Sequence, residues 1–488
     1  MTGGRWVAVL LLMCAAVEGA AGSLVRRENA KAGTSAWRLA DIAREGEIEG
    51  YGSKVSVERG ESIAFYVSTT DSSYRLEVFR MGWYGGSGAR RVHGPVERAG
   101  IRQPVPQPEP VTGLIECDWV DPYVLSTVAA ADPTEWMSGV YIVKLTASNT
   151  RKESLIHFVV REDRRSSDVL FQCAVTRYQA YNNWGGKSLY DFNSSGSQAA
   201  RKVSFDRPYT FRSGPFEFIL SWEYNMVRFL EREGYDVTYA TSVETHASPD
   251  MLLTRRAFLS VGHDEYWTWQ MRRNVEAARD AGVDLGFFSA NTCYWQMRFE
   301  ASPRTGEPHR VIVSYKERAL SEDPLARDGN PSNDHLVTAK FRDVPVNAPE
   351  ETLIGVMYTA SPVDGDIVVE KADHWVFAGT GLREGDRLPG LLGYEVDRMH
   401  GHAPPGTVRL AHSPFVATDD GETGFSDMTI YKAASGAYVF ATGSIQWSWG
   451  LDEFRGGTRA SNAAHQITRN VLNRFIYGDP RPKRRAVR

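Results

Sequence analysis

The feature that most constrains this chain's fold is a change of hydrophobic rhythm at the charged run Arg161–Arg165 (REDRR). Beyond it come three nearly unbroken apolar runs of strand length: Val169–Val175, Ala257–Val261 and Val283–Phe288. A strand apolar on both faces has to be covered on both faces, which is the situation inside a parallel sheet. Helical stripes separate the runs. In Phe216–Arg232, residues Ile219, Trp222, Met226, Val227 and Leu230 share one face, and Gly234 is placed to end the helix. In Trp267–Ala281 the stripe is Trp267, Met271, Val275 and Ala278, followed by Gly282. Such strand–helix–strand alternation predicts a doubly wound α/β sheet.

Before the charged run the pattern is different. From about Gly50 to Arg161 the chain reads as short strands, among them Lys54–Glu58, Ile63–Thr69, Tyr74–Arg80, Val140–Thr146 and Leu155–Arg161. They are rich in β-branched and aromatic residues and separated by Gly, Ser, Asp and Asn, which predicts an immunoglobulin-like β-sandwich. After about Arg310 the signal is mixed, with strands at Val311–Tyr315, Trp375–Ala378, Met428–Lys432 and Ala437–Thr442 and a helix near Ala460–Tyr477. This reads as a mixed C-terminal elaboration of the α/β unit. The expected division is a sandwich domain over 23–163, an α/β domain over 166–478 and a basic, Pro-rich, solvated tail over 479–488.

Arg5 precedes the twelve-residue apolar run Trp6–Val17, and small residues (GAAGS) follow at 19–23. This is the layout of a secretory signal, expected over residues 1–22, with an uncleaved anchor as the rival. No later stretch reaches the roughly 18 apolar residues that a membrane helix requires. The expectation is therefore a secreted or periplasmic protein with no transmembrane segment after signal cleavage. Cleavage would leave Cys117, Cys173 and Cys293, an odd number that allows at most one bridge. The net charge of −4 gives no pull toward nucleic acid. The 13 Trp and 21 Tyr suit either core bulk or an aromatic-lined site.

Familiar active-site signatures are missing: there is no His-Glu-x-x-His, Gly-x-Ser-x-Gly or Cys-x-x-Cys. Gly186-Lys187-Ser188 resembles the end of a phosphate loop, but Tyr181 stands where that loop needs its first glycine. His400 and His402 are a thin basis for a metal site. Topology says more, because ligands of open α/β sheets bind beyond the carboxyl ends of the strands. Three polar-aromatic segments fall there: Tyr178–Trp184 (YQAYNNW), His263–Trp267 (HDEYW) and Asn291–Trp295 (NTCYW). With parallel strands, all three meet along one edge. Asp264 and Glu265 equally suit a helix cap and a first-turn acid. Tyr181 and Asn291 equally suit loop residues that satisfy the backbone. His263 is less easily explained in that way.

These same segments carry a family resemblance. GYGSKVSVERGESIAFYVST, FRMGWYGGSGARRV, RYQAYNNWGGKSLYDF, SVGHDEYW and FFSANTCYWQMR resemble the large (beta) subunit family of N,N-dimethylformamidase. HWVFAGTGLREGDRLPG and GSIQWSWG extend the likeness, which spans about residues 45–475. The resemblance implies a glutamine-amidotransferase-like α/β domain and a mononuclear Fe(III) held by two tyrosines and one glutamate. Carried over residue by residue, the implied ligands are Tyr141, Tyr181 and Glu265. The implied catalytic residues are His263, Glu265, Asn291 and Lys316. Phenolate and carboxylate oxygens suit a hard trivalent cation, and three protein ligands leave room for water and a carbonyl oxygen. The implied reaction is hydrolysis of a small amide or carbonyl compound.

Tyr141 also shares a strand face with Val143 and Leu145, the pattern of a core tyrosine. As a ligand it would place the site between the two domains. Relative to the family, a long N-terminal extension is lacking and no small subunit is visible, while homo-oligomerisation stays open. Two other readings accompany the hydrolase. One is thiol chemistry at Cys293, since Cys173 lies inside an apolar strand. The other is a non-catalytic exported protein that keeps the fold and binds carbohydrate or peptide.

Overall fold

The computed structural model describes residues 23–478 apart from Ala130, so the expected leader (1–22) and basic tail (479–488) lie outside the described residues. Eight strands precede the charged run: β1 Ile48–Gly52, β2 Ser56–Glu58, β3 Ser62–Thr69, β4 Ser73–Met81, β5 Ala89–Ala99, β6 Tyr123–Ser126, β7 Gly139–Ala147 and β8 Glu153–Arg161. They form a five-stranded sheet, β2-β8-β7-β4-β5, and a three-stranded sheet, β1-β3-β6. One core joins the two sheets, with Phe65, Val67, Leu76, Val78, Val143, Leu145 and Phe158 among its members.

Alternation along β7 shows how this unit meets the rest of the chain. Tyr141, Val143 and Leu145 enter the core between the two sheets, whereas Val140 and Ile142 enter the larger core of the α/β part. The five-stranded sheet is thus covered on both faces, which explains the long apolar reading of GVYIVKL. Across the same boundary Arg80 of β4 makes two bonds to Glu231, at 2.9 and 2.7 Å, with both side chains fully buried. Strand β5 (ARRVHGPVERA) is not foreseen in the sequence, since its charges and proline mask it; it forms the sheet edge, where both are tolerated.

The second part contains β9 Ser167–Cys173, β10 Lys202–Ser204, β11 Val237–Thr241, β12 Arg255–Gly262, β13 Tyr266–Thr268, β14 Asp284–Ser289, β15 Trp295–Glu300 and β16 Val311–Val313. It continues with β17 Met357–Val368, β18 Arg387–Arg398, β19 Val408–Val416, β20 Thr423–Lys432 and β21 Tyr438–Ala441. The main sheet has the order β11-β9-β12-β14-β21-β20-β19. Its first five strands run parallel, and β20 and β19 are added antiparallel. Strands β10, β16, β15 and β13 form a smaller sheet, and β17 with β18 a long hairpin.

Both faces of the main sheet are covered. A Cβ on Gly286 would lie 2.7 Å from Leu259 and 3.4 Å from Phe475, so the helix Asn462–Tyr477 packs closely on that face. Phe258 points the other way and meets Trp267 edge-on at 6.4 Å.

Two sequence expectations need correcting. The helix expected over Phe216–Arg232 breaks into Pro215–Leu220 and Glu223–Glu233. At the break, the Ser221 carbonyl accepts the Trp449 indole N–H and the Trp222 carbonyl accepts the Ser448 hydroxyl. Both acceptors are thereby drawn out of the helical ladder. Trp375–Ala378 is not a strand but a short 3-10 turn, Trp375–Phe377, whose start is capped by the His374 ring. Among the described residues no helix is long and apolar enough to cross a membrane.

Candidate active site

The three polar-aromatic segments leave neighbouring parallel strands at the same end. Gly262 of β12 pairs with Ser289 of β14, and Ser260 pairs with Gln172 of β9. Gly262 has φ +73°, and a Cβ there would lie 2.7 Å from that of Trp222, so glycine lets the chain turn directly into His263–Glu265. Beyond β14, Asn291 and Cys293 both adopt positive φ, 52° and 58°. The loop is pinned by Asn291 N–H to Asp397 Oδ1 at 2.8 Å and by Cys293 N–H to the Asp264 carbonyl at 3.0 Å. β9 feeds the helix Val175–Tyr181, which ends on Tyr181.

The side chains converge on Glu265. Tyr181 Oη donates to its Oε2 at 3.0 Å, and Tyr190 Oη reaches Oε1 at 3.0 Å and Oε2 at 3.2 Å. Tyr266 Oη donates to Tyr190 Oη at 2.6 Å. His263 Nε2 stands 3.2 Å from Glu265 Oε2 and 3.2 Å from Glu395 Oε2. Asn291 Nδ2 donates to Glu395 Oε2 at 2.6 Å. Arg177 Nε lies 3.2 Å from His263 Nδ1, its guanidinium lies 4.0 Å from the Tyr181 ring centre, and it pairs with Glu217. Arginine only donates, so His263 Nδ1 is the acceptor and Nε2 carries the hydrogen facing the two carboxylates. Lys316 Nζ sits 3.2 Å from the Tyr190 ring centre and donates to the Leu189 carbonyl at 3.2 Å. A cavity of about 400 Å³ opens beside Tyr190 and Lys316, bordered by Phe192, Arg201 and Arg318.

Electrostatics follow from this crowding. Desolvation and the adjacent Glu265 carboxylate push the Tyr181 and Tyr190 hydroxyls well above the usual phenol range. Burial lowers Lys316 to about 8. Burial works to raise Glu395, but the facing His263 and Asn291 outweigh it and hold the carboxyl below its usual range. Burial also raises Asp264 to about 6 and Asp397 to about 7.

Tyr181, His263, Glu265 and Asn291 are therefore gathered at one place, with Lys316 against Tyr190. Tyr141 is not part of it. Its hydroxyl donates to the Met137 carbonyl at 2.7 Å, and its ring packs against Trp136 and Phe158 inside the sandwich. The β7 alternation turns it away from the α/β part and into the sandwich core. The second phenol beside Glu265 is Tyr190. Sequence reasoning missed it because SLYDF has no periodicity, although it ends the quoted stretch RYQAYNNWGGKSLYDF. Glu395 was missed too; it comes from the β17–β18 hairpin, 104 residues beyond Asn291.

His400 and His402 share no ligand position: His400 Nε2 meets Thr359 at 2.9 Å, and the backbone N–H groups of both bind Glu351. Cys117, Cys173 and Cys293 are free and buried. Burial pushes the Cys293 thiol far above its usual value, which disfavours a thiolate nucleophile.

Among the described residues no group of three or more His, Cys, Asp or Glu side chains could hold a metal ion. A centre at this edge would therefore depend on phenol oxygens. Tyr181, Tyr190 and Glu265 offer three hard oxygen donors with phenol–carboxylate separations of 3.0 to 3.2 Å. That donor chemistry fits ferric iron, and a trivalent charge would offset the desolvation that now keeps both phenols protonated.

The family model described as N,N-dimethylformamidase beta subunit-like, C-terminal, matches residues 75–463. The N,N-dimethylformamidase beta subunit of Alcaligenes sp is 26% identical over 298 residues, covering 53% of this chain and 37% of that protein. The beta subunit of Paracoccus aminophilus is 26% identical over 297 residues, with the same two shares, 53% and 37%. The match thus spans little more than a third of each relative's length. A β-D-glucuronidase structure from Dictyoglomus thermophilum, 8% identical over 50% of this chain and 43% of that one, has a TM-score of 0.14, too loose a likeness to bear on fold. With the family model matching most of the chain, including every segment that builds the Glu265 cluster, this protein belongs to the N,N-dimethylformamidase beta subunit-like family.

Proposed function

We propose that the protein is an exported hydrolase of a small amide C–N bond, using a mononuclear Fe(III) held by Tyr181, Tyr190 and Glu265. The observation that carries this reading is the convergence of two phenol hydroxyls on one buried carboxylate at 3.0 Å each. The export expected from residues 5–23 belongs to the same proposal. So does the glutamine-amidotransferase-like character of the α/β part.

When bound, the ferric ion supplies Lewis acidity toward a substrate carbonyl oxygen and toward water. The chain's own residues do the rest. Arg177 fixes the His263 ring so that Nε2–H is a donor at the reacting edge. Glu395 Oε2, held between His263 and Asn291, is the acceptor for a proton released by the attacking water. The same oxygen can return that proton to the departing nitrogen, which closes the proton balance of hydrolysis. Lys316, over the Tyr190 ring, borders the cavity that opens beside that tyrosine.

The test is metal analysis and visible spectroscopy of the purified chain beside Tyr190→Phe and Tyr141→Phe, with a screen of small amides. About one iron per chain is expected, with a phenolate-to-iron band lost in Tyr190→Phe and kept in Tyr141→Phe. A protein that stays colourless and metal-free after reconstitution would remove this reading. It would then leave a non-catalytic binding protein for carbohydrate or peptide.

A further inference from the structure

We infer that a second cavity, walled by both parts of the chain, is a binding site for a small aromatic carboxylate. It shares no lining residue with the cavity beside Tyr190 and stands independently of the hydrolase reading. Its volume is about 320 Å³, at the lower end of the range for small-ligand pockets. Arg44, Ile48 and Glu49 face it from the sandwich side, and Trp184, Phe211 and Arg212 from the α/β side. The Arg44 guanidinium lies 4.5 Å from the Phe211 ring centre, and that of Arg212 lies 5.2 Å from the same centre. Neither guanidinium makes an ion pair or hydrogen bond with a described residue. A guanidinium held over a ring uses its face and keeps its N–H edge available, and that edge matches a carboxylate.

A third arginine adds to the imbalance. Arg207 is fully buried and stands two residues before Tyr209, which also lines the cavity. It donates to the carbonyls of Asn182 at 2.8 Å, Lys187 at 2.9 Å and Trp184 at 3.2 Å, and its Nε has no acceptor. No carboxylate among the described residues pairs with it, although arginine is rarely buried unless paired. Glu49 is the acid on the wall, and its charge is already answered by the Trp184 indole N–H at 2.8 Å and by Arg102. Positive charge is thus left over beside a cavity whose body is aromatic and aliphatic. A bare inorganic anion would leave the rings unused, whereas a ring carrying a carboxylate uses both.

The test titrates benzoate, benzamide and sulfate into the full chain by isothermal calorimetry. Benzoate is expected to bind saturably and about 10-fold or more tightly than benzamide, which keeps the ring and lacks the charge. Arg44 and Arg212 are both exposed, so the paired variant Arg44→Gln with Arg212→Gln should leave the urea midpoint in place. That variant should lower benzoate affinity by about 10-fold or more. Lys316→Met, at the other cavity, should leave benzoate binding unchanged. Equal binding of benzoate and benzamide overturns the inference, as does displacement of benzoate by equimolar sulfate. So does benzoate affinity that survives loss of both arginines, disappears in Lys316→Met, or never saturates.

Discussion

Two buried polar clusters, one at the boundary between the sandwich and the α/β part and one at the sheet edge, are built on opposite principles. At the boundary, Glu231 receives Arg80 at 2.9 and 2.7 Å, Asn29 at 2.7 Å and Tyr239 at 3.0 Å. Beside it Glu28 receives Tyr84 at 2.8 Å and Arg90 at 2.6 Å. Guanidinium groups touch the carboxylates directly, so negative charge is neutralised within the protein. At the sheet edge, Glu265 receives two phenols and an imidazole, while the cations Arg177 and Lys316 lie over the tyrosine rings. Removing a partner from the first cluster strands a buried charge. The second holds oxygen donors ready for a charge from outside. On the proposed reading the difference separates a lock from a binding site, although both are buried, ionisable and rich in tyrosine.

The largest effect that would break this contrast concerns Glu265. Glu265→Gln is expected to lower amide turnover by about 10³-fold or more while leaving the denaturation midpoint of the metal-free protein unchanged or slightly higher. A large loss of stability instead would make Glu265 a structural residue like Glu231. Next comes Glu231→Gln, expected to cost about 3–5 kcal/mol of stability by stranding Arg80, read from urea unfolding. Retained stability there would mean that the boundary pair is not a lock.

Glu223 sharpens the comparison from a third position, as a buried carboxyl whose bonds come from the Tyr178 hydroxyl and the Ala174 N–H. Burial raises it from 4.5 to about 8. A raised acid binds its proton more tightly in the folded state. Its contribution is therefore fully present below pH 4.5 and is lost as pH rises through about 8. Urea midpoints should fall between pH 5 and pH 9 in the wild type, and Glu223→Gln should flatten that slope. An unchanged slope would place the titration elsewhere. The smallest effect is that of Tyr141→Phe, about 1 kcal/mol for the lost bond to the Met137 carbonyl, with iron binding intact. Loss of iron in that variant would return Tyr141 to the site.

Much of the frame was legible because it obeys short-range rules. The apolar runs became β9, β12 and β14 with ends shifted by a residue or two, since a strand covered on both faces has little freedom in composition. The segments after them fell at one edge because parallel strands share a direction. What escaped lacks periodicity or depends on distant partners. Tyr190 lies in an irregular loop, whereas Tyr141 sits in a regular strand whose alternation carries it into the sandwich core. Glu395 lies on a hairpin strand, and nothing in its neighbourhood along the chain marks it as a partner of His263.

By itself the sequence determined the change of architecture near Arg161–Arg165, the direction of the main sheet and the edge where His263, Glu265 and Asn291 gather. These follow from local hydrophobic pattern and strand polarity, which every residue in a segment helps to specify. Only the tertiary structure decided which tyrosine accompanies Tyr181 at Glu265 and which carboxylate faces His263. Those choices turn on two or three ångströms between side chains far apart along the chain, a distance fixed by packing and invisible to periodicity.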